Sequence, residues 1–225
     1  MRNLFLCCAF LIFFANEVRA EIYFKPESIS PLLTRQPILR SSVEYKREVS
    51  HILQLQKNID QVELKKAIEE HVITVEMLVQ NVMPQLTRAD FPLLYKMLDS
   101  SNKTALGVSE NAKIFWNTKR PYLEDKRIKA LVEPHLNGSY PSSHTVSAQV
   151  LARILGLLFV EKREAFFVRA EEIAQHRVLL GMHYPHDLAA AKEVSLLVVG
   201  ALMQTPHFLK DLERAKEEIA LKIQN

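Results

Sequence analysis

The stretch from His176 to Asp187 reads His-Arg-Val-Leu-Leu-Gly-Met-His-Tyr-Pro-His-Asp and sets one arginine, three histidines and one carboxylate between apolar segments. Charge among apolar neighbours is costly unless it is paired or used. Arg177 precedes His183 by six residues and His183 precedes Asp187 by four, a spacing that a helical turn, or a turn entering a helix, closes into contact. A carboxylate that accepts from one imidazole nitrogen fixes the tautomer and leaves the other nitrogen free to attack an electrophile or bind metal. The purely structural alternative is an Arg177–Asp187 pair with His183 as a satisfied core histidine.

Two earlier stretches carry matching parts. Lys113-Ile-Phe-Trp-Asn-Thr-Lys-Arg120-Pro121, taken as one helix, puts Lys113 and Arg120 on the same face two turns apart, with Arg120 in a last turn that Pro121 ends. Tyr140-Pro141-Ser142-Ser143-His144 runs directly into an apolar helix. A serine there is an ordinary N-cap, but a helix start also offers unpaired N–H groups to phosphate or sulfate, and His144 in the first turn can supply a proton. Together the three stretches hold three cations, a helix N-terminus, two imidazoles and a carboxylate. Phosphoryl transfer asks for those groups: positive charge around the equatorial oxygens, a nucleophile in line and an acid at the leaving oxygen.

Lys113-x6-Arg120-Pro121, Pro141-Ser142-Ser143-His144 and Arg177-x5-His183-x3-Asp187, in that order, resemble the three-part signature of the class A bacterial acid phosphatases. These belong to the superfamily of type 2 phosphatidic acid phosphatases and vanadium haloperoxidases. Two positions depart from the pattern: Ser143 stands where the family has glycine, and His176 stands where it has serine before the arginine. The resemblance implies hydrolysis of small-molecule phosphate monoesters through a phosphohistidine intermediate, with no metal and no cofactor. It makes His183 the nucleophile, Asp187 the partner of its other nitrogen, and His144 the acid that protonates the leaving alcohol and then activates water. Lys113, Arg120 and Arg177, with the Ser142 hydroxyl and N–H groups near Ser143, would hold the phosphate.

Rival chemistries use some of the same residues. Ser142, His144 and Asp187 suggest a serine hydrolase, but no Gly-x-Ser-x-Gly elbow surrounds either serine. His176, His183 and the His186-Asp187 pair have the types of a metal-dependent phosphohydrolase. A vanadium haloperoxidase and a non-catalytic anion-binding envelope protein complete the alternatives. Phe115, Trp116 and Tyr184 are candidate pocket walls whose plain reading is core packing.

The elements that must position these groups read as helices, with few glycines and no clear alternating strand patterns. Ser41-Ser42-Val43-Glu44 and Asp60-Gln61-Val62-Glu63 open two helices. Further helices are expected over 72–82, from about Asp90, over 109–118, 143–160, 164–181, 186–203 and 206–223. The fold class is all-α, a single compact helical domain over residues 40–225 behind an extended arm at 21–39. Asn137-Gly138-Ser139 is noted only as a glycosylation acceptor pattern.

Residues 1–20 read as a signal peptide: Arg2, an apolar run from Leu4 to Phe14, and Val18-Arg19-Ala20 before the cut. The expected location is periplasmic or secreted. Both cysteines, Cys7 and Cys8, fall in that leader, so the core must stabilise the remainder without disulfides. A formal charge of +3 with mixed signs suggests no nucleic-acid partner. The remaining apolar runs are about half the ~20 residues that a bilayer span needs. Homo-oligomerisation is left open.

Overall fold

The computed structural model describes residues 20–223, so the expected leader lies outside the described residues except for Ala20. Among the described residues the regular structure is entirely helical. Helix α1 (Val43–Lys57) starts on Ser42, whose hydroxyl accepts from Tyr45 N, and α2 (Gln61–Glu69) on Asp60, whose carboxylate accepts from Val62 N and Glu63 N. Both caps fall within the capping patterns and satisfy amides that would otherwise be unpaired.

The helix expected over 72–82 does not form as one piece. The chain leaves α2 at Glu69, and only a short turn, α3 (Val75–Val79), follows behind a Thr74 cap. Glu70 is drawn onto Arg169 and His176 of a later helix, and the β-branched run Val72-Ile73-Thr74 resists helix. Residues 70–74 therefore cross the protein as irregular chain.

The two helices expected from Asp90 and Ser109 are one, α4 (Pro92–Trp116). Asp90 does not cap it. Glu218, far along the sequence, accepts from Leu93 N at 3.0 Å and Leu94 N at 2.9 Å. Ser101 and Thr104 donate to carbonyls within α4, which lets polar residues sit in the core without breaking the helix. There follow α5 (Pro121–Glu124), α6 (Ser143–Leu158), α7 (Arg163–Leu179), α8 (Pro185–Leu202) and α9 (Pro206–Ile223).

Helix α6 is the centre, packed by α4, α7 and α8, and this explains why it is apolar on nearly every side. Leu151, Ile154 and Leu155 meet Leu94, Leu98, Phe166, Ile173, Val198 and Phe208 in the main core. Truncating one of these, such as Leu151 to alanine, is expected to cost about 2–5 kcal/mol. The 21–39 segment is less of a surface arm than its prolines implied. Tyr23 and Ile29 are buried, Tyr23 N donates to Thr104 Oγ1 at 3.0 Å, and Pro26 sits on Gly107, where a Cβ would come within 2.6 Å. No single helix among the described residues is long and apolar enough to cross a membrane.

Candidate active site

Beyond α7 the chain turns back at Gly181, whose φ of +69° favours glycine and whose Cβ would stand 2.3 Å from the Lys129 carbonyl oxygen. Met182 N and His183 N both donate to the Arg177 carbonyl, at 3.0 and 3.3 Å, so His183 is folded back over the end of α7. Asp187, in the first turn of α8, accepts from Tyr184 N at 2.9 Å. Arg177, His183 and Asp187 are all essentially buried.

The His183 tautomer follows from its neighbours. Arg120 Nη1 lies 3.0 Å from His183 Nε2, and a guanidinium can only donate, so Nε2 holds a lone pair and Nδ1 carries the proton. Nδ1 faces Asp187 Oδ2 at 3.2 Å. Ser139 Oγ donates to the same oxygen at 2.6 Å and lies 3.4 Å from Nδ1. Asp187 thus orients the ring as the spacing suggested.

Lys113 and Arg120 do not share a helix. Asn117, at φ 44° and ψ 43°, ends α4, and Arg120 is extended, the residue before α5. Pro121 begins a helix rather than ending one, since the first helical position needs no N–H. The two cations nevertheless converge on the loop before α6. Lys113 Nζ donates to the carbonyls of Gly138, Ser139 and Pro141 at 2.9, 3.2 and 2.7 Å. Arg120 donates to the Asn137 carbonyl, Asn137 Oδ1, the Gly138 carbonyl and the Met182 carbonyl.

At the start of α6, Ser142 is the N-cap and its hydroxyl accepts from Thr145 N at 3.4 Å and Thr145 Oγ1 at 3.0 Å. Ser143 needs no glycine, because Asn117 alone among the described non-glycine residues has positive φ. Its hydroxyl donates to Glu110 Oε1 at 3.1 Å and accepts from Ser109 Oγ at 2.9 Å. His144 Nε2 donates to the His71 carbonyl at 2.8 Å, which leaves Nδ1 as the nitrogen free to exchange a proton.

Arg177 is the exception. Its Nε, Nη1 and Nη2 are buried and make no hydrogen bond among the described residues. The Arg177–Asp187 pair of the purely structural reading is not formed: Asp187 Oδ2 is taken by Ser139, Tyr184 and His183, and Asp187 Oδ1 has no hydrogen-bond partner among the described residues. His176, next to it, points elsewhere: Nδ1 meets Glu70 Oε2 at 2.5 Å and Nε2 meets Glu63 Oε1 at 2.6 Å. The metal reading needs His176 beside His183, and these two rings are committed to different partners.

Burial and crowding of cations set the protonation states. His183 is held well below the ordinary histidine range by burial first and then by Arg120, Lys113 and Arg177. His144 is likewise held low by burial and then by Arg177. Burial, then Arg120, pushes Lys113 down to about 7, against the pull of Asp187 and Glu110. Arg177 falls to about 10 by burial and the charge of Arg120, and so remains a cation at neutral pH. Burial raises Asp187, opposed by His186, Ser139 and the Tyr184 amide.

Lys113, Arg120, Ser143, His144 and His183 line one cavity of about 150 Å³, whose other walls include Ile73, Leu106, Glu110, His135 and Asn137. Phe115, Trp116 and Tyr184 do not line it. Trp116 packs edge-on against Tyr140, and the Tyr184 hydroxyl shares a 2.9 Å hydrogen bond with Tyr45. Glu110, Asn137, Ser139 and the His71 carbonyl are site groups that the sequence does not single out. Asn137 and Ser139 show there only as a glycosylation pattern, and no local signal marks a backbone carbonyl or a carboxylate one helical turn before Lys113.

A family model described as the PAP2 superfamily matches residues 100–211, the stretch that contains every candidate residue, and the chain belongs to that superfamily. Within it, the class A acid phosphatases are the group it fits. Non-specific acid phosphatases of Providencia stuartii and Salmonella typhimurium are 31% identical over 147 residues and 28% identical over 166 residues. These matches cover 60% and 69% of this chain but 56% and 66% of the relatives, so the chain spans less than two thirds of their length. Among solved structures, a bacterial vanadium-dependent iodoperoxidase matches with a TM-score of 0.56 at 17% identity, over 74% of this chain and 51% of that one. At that identity the likeness is one of fold.

Proposed function

We propose that the chain is an exported acid phosphatase that hydrolyses phosphate monoesters through a phosphohistidine on His183, without metal. The observation that carries this reading is the buried Arg177 guanidinium with no hydrogen-bond partner among the described residues, close enough to His183 for its charge to depress that imidazole, whose Nε2 bears a lone pair. A buried cation left unpaired is strongly unfavourable, and an oxyanion that accepts from it removes that cost. Arg177 offers its unpaired donors to the phosphate oxygens, while Arg120 and Lys113, whose donors are committed within the fold, add positive charge and brace the loop that presents the N-terminus of α6.

His183 Nε2 forms the bond to phosphorus as the ester P–O bond breaks, and Asp187 stabilises the positive charge on the ring. His144 gives its proton to the leaving alkoxide. It then takes a proton from water, whose oxygen attacks phosphorus as the P–N bond breaks, returning free His183 and phosphate. Because the His144 proton is held only at low pH, kcat/KM falls as pH rises through its lowered value, giving an acid optimum.

The test is hydrolysis of p-nitrophenyl phosphate by chelator-treated protein from acid to neutral pH. Chelator-resistant acid activity that vanadate inhibits is expected. Loss of activity with the chelator would turn the reading to a metal enzyme, and halide oxidation dependent on vanadate and peroxide would turn it to a haloperoxidase. Export rests on the apolar run from Leu4 to Phe14, and the amino-terminal sequence of the protein recovered outside the cytoplasm is expected to begin at Glu21.

A further inference from the structure

We infer that Glu110 is a specificity-determining residue that disfavours phosphate esters whose leaving group carries a negative charge. The inference deepens the phosphatase reading and depends on it. Glu110 lies on α4 one turn before Lys113 and lines the same cavity as His144 and His183. Its Oε1 accepts from Ser143 Oγ at 3.1 Å, and both of its oxygens accept from Asn137 Nδ2, at 3.0 and 2.9 Å.

These bonds fix where the carboxylate stands. Ser143 is the residue before His144, so Glu110 is one hydrogen bond from the chain that carries the proton donor. In an in-line displacement the leaving group departs on the side opposite His183, toward the acid that protonates it. An ester tail leaving past His144 therefore meets Glu110 together with the apolar Ile73 and Leu106. A carboxylate or second phosphate on that tail is repelled by the Glu110 carboxylate at short range, whereas an uncharged or cationic tail is not. The transferring phosphoryl group is spared because it is bound at His183, where the charges of Arg120, Lys113 and Arg177 act. Through Asn137, whose Oδ1 accepts from Arg120 Nη2 at 2.7 Å, Glu110 also props one of those cations, so its substitution must be read as a ratio between substrates.

The experiment compares kcat/KM for three phenyl phosphates bearing a para carboxamide, carboxylate or aminomethyl group, in wild type and Glu110→Gln. Glutamine keeps the size of the side chain and its contact with Ser143 while removing the charge. Wild type is expected to discriminate against the carboxylate ester, and the substitution to shrink that penalty relative to the carboxamide by about tenfold. The aminomethyl ester is expected to lose ground in the variant. Equal slowing of all three substrates would reduce Glu110 to a prop for Asn137 and Ser143 and overturn the assignment. If the variant does not fold, wild type decides alone, since equal values for carboxylate and carboxamide esters overturn it as well. Turnover of none of the three by folded wild type removes the hydrolytic reading, and this assignment with it.

Discussion

His176 and Arg177 are consecutive on α7 and have opposite surroundings. The His176 ring is clamped between Glu70 and Glu63, and Glu70 also takes an ion pair from Arg169. Both ring nitrogens face carboxylates, so the group is an imidazolium. Arg177, equally buried, has no hydrogen-bond partner on any of its three nitrogens among the described residues. One turn of the chain thus holds a charge whose cost is met inside the fold beside one whose cost is left for a ligand to meet. Paired buried charge marks structure here, and unpaired buried charge marks the site.

The largest effect that tests this contrast is on the bare side. His183→Ala is expected to bring phosphate ester hydrolysis to background, because no other residue supplies the Nε2 lone pair. Next, Arg177→Ala is expected to lower kcat/KM by about 10²–10³-fold and to weaken vanadate inhibition in parallel, with little change in urea midpoint. A large fall in stability with unchanged vanadate affinity would erase the distinction between the two neighbours.

On the paired side the effect moves to stability. His176→Leu is expected to cost about 1–3 kcal/mol in urea unfolding, moderated because Arg169 still serves Glu70, while the folded variant stays within about threefold of wild-type kcat. Burial opposes both charges, but the mutual hydrogen bonds outweigh it, raising His176 and lowering Glu70. A raised histidine contributes stability that is present below its unfolded value of 6.5 and lost as pH rises through its folded value. A lowered glutamate contributes stability that is present above 4.5 and lost as pH falls through its folded value. The His176 dependence of unfolding free energy should therefore be greatest between pH 4.5 and 6.5 and fade on either side.

The smallest effect expected is at Ser143→Gly. Since Ser143 occupies ordinary helical backbone, restoring the family's glycine relieves no strain, and the change in kcat/KM should stay within about threefold, reflecting the lost bonds to Glu110 and Ser109. A much larger gain would show that the serine obstructs the phosphate place.

Much of the molecule is legible in its sequence. The all-helical class, the cap at Asp60, the bounds of α9, and the grouping of His183 with Asp187 follow from periodicity and short spacings, because these are contacts within one or two turns, while the first cap falls one residue later than the capping pattern puts it, on Ser42. Lys113 and Arg120 are correctly associated by their spacing, but through the wrong geometry. Helical spacing predicts a shared face, whereas Asn117 breaks the helix and the two side chains meet again on the carbonyls of the loop before α6.

Other features have no local signal. The break after Glu69, the cap that Glu218 places on α4, the docking of Tyr23, the His71 carbonyl on His144 and the position of Glu110 all join residues far apart or depend on which neighbour wins a hydrogen bond. By itself the sequence determined the chemistry available: which side chains can attack, donate or hold an anion. Only the tertiary structure decided which charges are satisfied. That outcome depends on burial and on long-range partners, and it separates Arg177 from His176 although one peptide bond joins them.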